Sequence, residues 1–463
     1  MGSTAAVVLA AGKGTRFHSD LAKVLHPLAG RTMLRWVLES LREFGLDRVI
    51  VVVGHQAEAV AAEAAASDLA GLSVVEQAEQ RGTGHAVRVA FDVGALDGVD
   101  RVLVLPGDTP LLDAGTLHRL LDAAAPAALL TARPADPAGY GRVLRAADGR
   151  VERIVEHRDA TEAERAVDEI NAGMYVFPAD ALRRELGALR GDNTQGELYL
   201  TDVVAPLAAE GLAAVEATAE AVAGVNDRAQ LAAAAAVLRR RINERLLLGG
   251  VTLVDPERTY VGAEVAIAPD AVILPNTYLE GATRIGAGAT VGPDSRLVDA
   301  LVEEGAVVSY SVLLGASVGP GATVGPFSYL RPGARLERAA KAGAFVEIKQ
   351  STVGEGSKVP HLSYIGDAEI GQGVNVGAGT ITCNFDGRHK HRTVIGDGAF
   401  IGSDTMLVAP VTIGPRAVTA AGSAITQDVP EGALALERTQ QVEVPGYADR
   451  VAGSEGDDPA GVA

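Results

Sequence analysis

The first residues that could do chemistry form a glycine-rich turn, Leu9–Arg16 (LAAGKGTR), which follows a short apolar run. Small residues allow the backbone to approach a phosphate closely, and consecutive N–H groups can then cradle it. Lys13, Arg16 and the nearby Lys23 add positive charge that suits a triphosphate. A lone turn of this kind is a weak signal, because a purely structural turn between a strand and a helix has the same residues.

A second chemical group is the carboxylate of Asp108, which comes soon after the apolar run Val102–Leu105. Open α/β sheets bind their ligands at the carboxyl ends of their strands. A carboxylate oxygen is a hard ligand that suits Mg²⁺, so Asp108 is a candidate metal ligand. The alternative, an aspartate that only stabilises a turn or caps a helix, stays open at this point.

A cluster of polar residues in the second half of the chain forms another candidate site. Arg331 and Lys349 offer two cations for a phosphate, although two solvated surface charges have the same sequence. Tyr364 and Asn375 can supply hydrogen bonds to a substrate. His361 is a type of residue whose ordinary pKa of about 6.5 suits proton uptake near neutral pH. The cluster indicates a site for a phosphorylated substrate, and a structural role is the alternative.

Short apolar runs alternate with amphipathic stretches from residue 1 to about residue 225. The predicted strands are Ala5–Ala10, Arg48–Val53 and Val102–Leu105, and the predicted helices are Thr32–Phe44, Ala57–Ala66 and Gly84–Phe91. Such βαβ alternation, with strands that are apolar throughout, predicts a mainly parallel sheet covered by helices. The first half is therefore expected to be a Rossmann-like α/β domain that positions the glycine-rich turn and Asp108.

An apolar residue recurs at every sixth position from Val261 onwards. Neither an α-helix nor an alternating strand has this period, so the pattern is an internal repeat, the hexapeptide repeat. Each unit lays one short strand along a flat face, and three units close one triangular coil, which gives about ten coils over residues 251–430. The period breaks over residues 336–353 and again over 376–395, which predicts loops beside the polar cluster.

Composition sets the remaining boundaries. Residues 227–250 are rich in Ala and Arg, and up to Leu248 they contain no glycine or proline, which predicts a connecting helix. The expected domains are therefore residues 1–226 and 251–445, with the helix between them. Residues 446–463 have little to bury and are expected to be a disordered tail.

Charge and composition exclude several classes of protein. The chain has 41 Lys and Arg against 59 Asp and Glu, a formal charge of −18, so we expect no nucleic-acid partner. No apolar run approaches the ~20 residues of a membrane helix, and the first residues lack a signal-peptide pattern. Cys383 is the single cysteine, which fits a reducing compartment. These features predict a cytoplasmic location without membrane insertion.

The turn LAAGKGTR followed by Lys23 resembles the sugar-1-phosphate nucleotidyltransferases, although Ala22 replaces a proline of the family pattern. Further segments of this half match in order, among them GTGH at 82–85, PGD at 106–108 and GYGR at 139–142. The resemblance implies catalysis by Arg16 and Lys23 through positioning and charge neutralisation, and Mg²⁺ bound by Asp108 and Asn226. The implied nucleotide- and sugar-binding positions are Leu9, Ala10, Ala11, Gly12, Lys13, Lys23, Gln77, Gly82, Thr83, Gly141, Glu156, Asn171 and Asn226.

The polar cluster resembles the acetyltransferase half of the bifunctional uridylyltransferase/glucosamine-1-phosphate N-acetyltransferase family, through RPG, FVEIK, HLSYIGD, NVGAGT and TCNF in order. The resemblance implies His361 as general base, with Glu347 and Asn384 as catalytic groups that orient it. The implied binding positions for the acetyl acceptor are Arg331, Lys349, Tyr364 and Asn375, and those for acetyl-CoA are Ala378, Asn384, Phe385, Ser403, Ala421 and Arg438.

This resemblance covers residues 5–440 and implies a left-handed parallel β-helix that assembles as a homotrimer. The implied substrates are glucosamine-1-phosphate, acetyl-CoA, N-acetylglucosamine-1-phosphate and UTP, and the implied product is UDP-N-acetylglucosamine, a cell-envelope precursor. Phe385 stands where tyrosine is frequent, so a hydroxyl contact to the amino sugar is missing. Gln350, Pro360 and Ala344 also depart from the common pattern.

Two other functions are consistent with the same two domains. The β-helix could be only a scaffold for a nucleotidyltransferase, against which the combination of Arg331, Lys349 and His361 argues. The whole chain could be a binding protein without activity. A pure scaffold has no need of a phosphate cradle and a metal ligand, so Lys23 and Asp108 argue against that alternative.

Overall fold

The structure, a computed structural model, describes residues 2–452. The chain forms two compact units, of which the first runs to Arg245 and includes Tyr260–Glu264, and the second comprises Leu246–Thr259 and the chain from Val265 on. The helix that we predicted as a connector spans Arg228–Leu248. Most of that helix belongs to the first unit, because its Ala and Leu side chains pack into an apolar cluster there.

The first unit is built on a sheet of nine strands. In chain order they are β1 Thr4–Ala10, β2 Arg48–Val53, β3 Leu72–Glu76, β4 Arg101–Pro106, β5 Ala127–Ala132, β6 Arg142–Arg145, β7 Val151–Val155, β8 Ile170–Pro178 and β9 Leu212–Glu216. The central path is β9-β5-β8-β4-β1-β2-β3, and β6 joins β8 to β7. Strand β8 is antiparallel to β4 and β5, whereas β1 is parallel to β2 and β4. The predicted, mainly parallel sheet is confirmed.

Helices cover both faces of this sheet, because β1, β2 and β4 are apolar after their first residue and bury side chains on both sides. Besides Arg228–Leu248, the helices of the unit are Met33–Ser40, Ala57–Ala65, Thr83–Asp92, Ala114–Leu121, Glu162–Arg165, Ala179–Ala188 and Val204–Gly211. The first predicted helix, Thr32–Phe44, is shorter in the structure, where the α-helix ends at Ser40. A 3₁₀ turn follows at Arg42–Phe44, before Gly45, which has a φ of 55°. No helix of the described residues is long and apolar enough to span a membrane.

The second unit is a parallel β-helix with three sheets of 11, 10 and 9 short strands. The first sheet contains Thr252–Leu253, Val272–Ile273, Thr290–Val291, Val307–Val308, Thr323–Val324, Lys341–Ala344, Lys358–His361, Asn375–Val376, Phe400–Ile401, Val418–Thr419 and Leu434–Ala435. The second contains Thr259–Val261, Thr277–Glu280, Arg296–Val298, Val312–Leu314, Tyr329–Leu330, Glu347–Lys349, Tyr364–Gly366, Ile381–Cys383, Met406–Val408 and Ala424–Ile425. The third contains Ala266–Ile267, Arg284–Ile285, Leu301–Val302, Ser317–Val318, Arg335–Leu336, Thr352–Val353, Ala368–Ile370, Thr393–Ile395 and Val411–Ile413.

The six-residue period arises because one side chain of each strand points into the axis and is fully buried, as at Ile273, Leu279 and Ile285. The predicted loop over residues 336–353 is wrong. Ala342 and Ile348 occupy the inward positions there and are fully buried, and the small alanine hid the repeat. The second predicted loop is present as residues 384–392, between the strands Ile381–Cys383 and Thr393–Ile395.

The predicted tail starts at residue 446. Its first part contains a short helix, Tyr447–Ala452, and residues 453–463 lie outside the described residues.

Candidate functional sites

A cavity of about 650 Å³ opens at the carboxyl ends of β1, β3 and β4 in the first unit. Twelve of the residues expected there line it: Leu9, Ala10, Ala11, Gly12, Lys13, Lys23, Gln77, Gly82, Thr83, Asp108, Glu156 and Asn171. The structure adds neighbours that the sequence did not point to, among them Tyr175, Glu197 and Thr201. The glycine-rich turn and Asp108 are therefore parts of one cavity, as the strand-end argument predicted.

Cations and hard oxygens meet at one corner of this cavity. The ammonium group of Lys23 forms an ion pair with Asp108 and lies 3.3 Å from Oδ1 of Asn226. Arg16 donates to the same Oδ1 at 2.8 Å. The backbone N–H of Val225 donates to the carbonyl of Asp108 at 2.9 Å, which fixes Asn226 beside that carboxylate. Arg16 and Asn226 therefore join the site although they do not line the cavity.

Gly14 explains how Lys23 reaches this corner. Gly14 has a φ of 61°, in the left-handed region that favours glycine. A Cβ atom at this position would lie 2.5 Å from Cβ of Lys23. Only glycine thus permits the turn and the close approach of the lysine together.

This corner fits a magnesium ion. Asp108 and Asn226 already direct oxygens at one cation, the ammonium of Lys23. Among residues 2–452 no group of three or more His, Cys, Asp or Glu side chains could hold a metal ion. Mg²⁺ is commonly held by one or two carboxylates together with substrate phosphates and water, so the sparse donor set suits it.

Gly141 and Asn171 form a second part of the site. The backbone N–H of Asn171 donates to the carbonyl of Gly141 at 2.9 Å, which joins the start of β8 to the residue before β6. The Asn171 side chain is buried, donates to Oη of Tyr175 at 2.6 Å and accepts from the N–H of Gly173 at 3.0 Å. These bonds hold both residues in fixed positions before any ligand binds.

Glu156 lies in the same part of the cavity, where the hydroxyl of Thr201 donates to its Oε1 at 3.0 Å. Burial raises the pKa of Glu156, the Thr201 hydrogen bond opposes that effect, and the nearby carboxylates of Asp202, Asp159 and Glu197 raise it further. This carboxylate is a strong acceptor for a hydroxyl or N–H group of a ligand, because burial removes competing water.

The second cluster lies on the β-helix. Arg331 donates to Oε1 of Glu347 at 2.9 Å, and Nζ of Lys349 lies 3.6 Å from Oδ2 of Asp367. Lys390, from the loop 384–392, bonds to Lys349. The hydrogen bond that Lys349 donates to Lys390, and then the Asp367 carboxylate, raise the pKa of Lys349, whereas that bond and the repulsion of the neighbouring positive charge lower the pKa of Lys390.

Asn384 and Tyr364 border this charged group. The amide of Asn384 bonds to Asp367 and lies 3.4 Å from Oη of Tyr364. Lys390 was not expected from the sequence, although the basic stretch RHKHR inside the second period break is a signal that could have identified it. The cluster as a whole suits a phosphorylated ligand, since its ammonium and guanidinium groups converge.

His361 differs from expectation. It ends the strand Lys358–His361 and is exposed, and no residue of the described chain hydrogen-bonds to its ring. Glu347 and Asn384 were expected to orient it, but within one chain their side chains bond to Arg331 and Asp367 instead. The difference arises because His361 lies on another sheet of the β-helix than Glu347.

The positions expected to bind acetyl-CoA follow one another along the axis of the β-helix. Asp404, next to Ser403, donates its N–H to the carbonyl of Ala378 at 2.6 Å, and Gly422, next to Ala421, donates to the carbonyl of Ser403 at 2.8 Å. Arg438 lies beyond Gly422, where a Cβ atom would be 3.9 Å from its Cδ. The structure brings these four positions into one column of successive coils. Asn375 starts a strand that pairs with Lys358, and Phe385 is exposed opposite Lys390.

Comparisons with known proteins agree with both units. The MobA-like NTP transferase domain model matches residues 6–200, and the model for the bacterial transferase hexapeptide (six repeats) matches residues 392–427. The fold and sites thus define a nucleotidyltransferase domain joined to a left-handed β-helix of the transferase hexapeptide class. Bifunctional protein GlmU of Trichlorobacter lovleyi is 51% identical over 456 residues, which are 96% of this chain and 98% of that protein.

Other relatives are similar over the same length. Bifunctional protein GlmU of Streptomyces avermitilis is 49% identical and aligns over 96% of this chain and 94% of its own. The protein of that name from Brevibacillus brevis is 47% identical, and the alignment covers 96% of this chain and 97% of that protein. The chain therefore belongs to the GlmU family of bifunctional proteins. A solved complex of UDP-glucose pyrophosphorylase covers 52% of this chain at a TM-score of 0.42 and 16% identity, a weak similarity that defines neither fold nor site.

Proposed function

We propose that the chain makes UDP-N-acetylglucosamine in two steps, acetyl transfer to glucosamine-1-phosphate and then uridylyl transfer from UTP. The observation that carries this proposal is the near-full-length identity of 51% to a bifunctional GlmU protein, combined with one polar site in each unit. Residues 1–226 would carry the uridylyl transfer and residues 251–445 the acetyl transfer.

Uridylyl transfer is an in-line displacement. An oxygen of the sugar phosphate attacks the α-phosphorus of UTP, and pyrophosphate leaves. Lys13, Arg16 and Lys23 neutralise the phosphates, and Glu156 and Asn171 bind the sugar. Asp108 and Asn226 would hold Mg²⁺, which would supply positive charge to offset the negative charge that develops on the phosphates. The converging Lys23, Asp108 and Asn226 support this assignment.

Acetyl transfer requires an uncharged amine. His361 takes the proton from the amine of glucosamine-1-phosphate, the nitrogen attacks the thioester carbon of acetyl-CoA, and the CoA thiolate leaves. Arg331, Lys349 and Lys390 bind the sugar phosphate, while Tyr364 and Asn375 bind the sugar. Ala378, Ser403, Ala421 and Arg438 provide a column of mostly small residues for the extended CoA molecule.

We further propose a cytoplasmic homotrimer built through the β-helix. Tyr310, Phe327, Phe345 and Leu362 form an apolar row on successive coils, and their side chains are 42–63% exposed. The rings of Tyr310 and Phe327 contact each other in a tilted arrangement at 5.7 Å between centroids, and those of Phe327 and Phe345 stack at 5.3 Å. The row ends at Leu362, the residue after His361. The ring of His361 has no hydrogen-bond partner among the described residues. A second copy that covers the row would also complete the surroundings of His361.

Product analysis tests the two-site proposal. The protein is given glucosamine-1-phosphate, UTP and Mg²⁺ with or without acetyl-CoA, and we expect UDP-N-acetylglucosamine only when acetyl-CoA is present. Asp108→Asn should stop uridylyl transfer and leave acetyl transfer intact, and His361→Ala should slow acetyl transfer by about 10²–10⁴ without changing uridylyl transfer. Equal loss of both activities in either variant would contradict separate sites.

A further inference from the structure

We propose that His85 makes the nucleotide site selective for uracil over cytosine by fixing the side-chain amide of Gln77. His85 thus acts as a positioning residue for base recognition. The inference rests on the proposed uridylyl transfer and names the group that selects its nucleotide. The residues expected to bind the sugar and the residues of the β-helix have no role in this recognition of the base.

The amide of Gln77 has a defined orientation. Gln77 follows β3, its N–H donates to the carbonyl of Val53 at 2.7 Å, and the residue is only 3% exposed. Its Nε2 lies 3.1 Å from the carbonyl oxygen of Gly82 and 3.0 Å from Nδ1 of His85. A carbonyl oxygen can only accept, so the atom that faces Gly82 is the NH₂ group. Both hydrogens of that group then have acceptors, Gly82 and His85.

The contact with Gln77 requires a lone pair on Nδ1 of His85, hence an uncharged ring. Burial lowers the pKa of His85, and the positive charges of Arg88 and Arg81 lower it further. The backbone and the carboxylate of Glu79 act in the opposite sense but do not outweigh these effects. The ring is therefore neutral near pH 7, as the hydrogen bond demands.

The remaining atom of the amide, Oε1, is an unused acceptor. No residue in the described part of the chain donates to it, and Gln77 lines the 650 Å³ cavity. Uracil carries an N–H donor at position 3, whereas cytosine has an acceptor lone pair there. A fixed Oε1 therefore bonds uracil and repels cytosine. A site that leaves a buried acceptor unpaired can reject the wrong ligand by as much as ~10⁴.

The test compares kcat/KM for UTP and CTP with N-acetylglucosamine-1-phosphate supplied, in the wild type and in His85→Phe. Phenylalanine keeps a flat ring but has no lone pair, so only Gly82 holds the amide. We expect the wild type to prefer UTP by at least about 100-fold. The variant should lose about tenfold in kcat/KM for UTP, mainly through KM, and its preference should shrink. His118→Phe, a half-exposed histidine outside the site, is the matched control.

A second variant separates base recognition from folding. Oδ1 of asparagine can replace Nδ1 of His85 as the acceptor for the Gln77 amide. His85→Asn should therefore show the preference for UTP over CTP that His85→Phe loses, whereas His85→Ala should not. A UTP:CTP ratio that stays at the wild-type value in His85→Phe and His85→Ala would overturn the inference alone. Absence of UTP turnover by the wild type would overturn the proposed function and this inference with it.

Discussion

Glu169→Gln should weaken binding of the sugar phosphate without touching the residues that contact it. Glu169 is 3% exposed and lies two residues before Asn171. Arg145 donates to both of its oxygens, at 2.8 and 2.6 Å, and Arg133 donates to Oε2 at 3.2 Å. The carbonyl of Glu169 also accepts from Val143 at 3.0 Å, which ties the start of β8 to β6.

The magnitude follows from these bonds. Glutamine at position 169 keeps one oxygen as an acceptor for Arg145. It loses the second bond to Arg145 and the bond to Arg133, and its NH₂ group faces a guanidinium group that can only donate. Charge-assisted bonds contribute about 1.5–3 kcal/mol each when buried. Arg145 and Arg133 are more than a third exposed and can be hydrated, so we expect a loss of about 1–3 kcal/mol. The melting temperature of the first unit should fall by about 2–4 °C per kcal/mol.

The functional effect should be confined to one substrate. Loosening β8 displaces Asn171 and, through its bond to the carbonyl of Gly141, the residue before β6. We expect KM for N-acetylglucosamine-1-phosphate to rise about three- to tenfold, with KM for UTP unchanged. Steady-state kinetics in each substrate measure this, and Glu216→Gln is the control, because that exposed carboxylate lies 3.9 Å from Arg133. A lower melting temperature with no change in either KM, or an equal rise in both, would refute the reasoning.

Three further outcomes are expected. The carboxylate of Asp386 bonds to the ring of His391 at 2.7 Å and accepts from the backbone N–H groups of Arg388 and His389. The bond to His391 is the main cause, and the two N–H bonds are further causes, of a pKa of Asp386 that is lowered to about 2. Asp386→Asn should loosen the loop that carries Lys390 and raise KM for glucosamine-1-phosphate several-fold; an unchanged KM in acetyl-transfer kinetics would contradict this. Gly14→Ala should lower uridylyl kcat at least about tenfold through displaced Lys23, with acetyl transfer as internal control. Because burial lowers the pKa of His85 below 6.5, KM for UTP should rise only at pH below that value and stay flat above it, whereas a pH profile of His85→Asn should show no such rise.

The sequence predicted the parts of the fold that depend on backbone pattern. Apolar runs identified β1, β2 and β4, and the six-residue period identified the β-helix, because both follow from which side chains are buried. The break at residues 336–353 was wrong, because a buried Ala342 carries the period without a large side chain. The loop at 384–392 was right, since glycine and charged residues leave nothing to bury there.

The candidate sites were predictable only by position along the chain. Strand ends placed Asp108 beside the glycine-rich turn. The basic stretch at 388–392 could have identified Lys390 as a candidate, but no pattern shows that its side chain contacts Lys349. The partners of Gln77 depend on a side-chain rotamer and on the tautomer of His85, neither of which leaves a trace in residue spacing. Side-chain contacts between residues that are distant in the sequence can therefore be identified only from the structure.

The parallel register of the β-helix makes its length adjustable in whole steps. Each strand pairs with the equivalent strand of the next coil, as Arg284 with Leu301 and Val302 with Val318. Expected acetyl-transfer residues begin only at Arg331, so the coils before it carry none of these expected residues. Removing or duplicating one complete coil there preserves every pairing and changes the axial length by about 4.8 Å. A partial coil would instead turn inward side chains outward. Length variants of this protein should therefore tolerate only changes of one complete coil, about 16–18 residues, at a time.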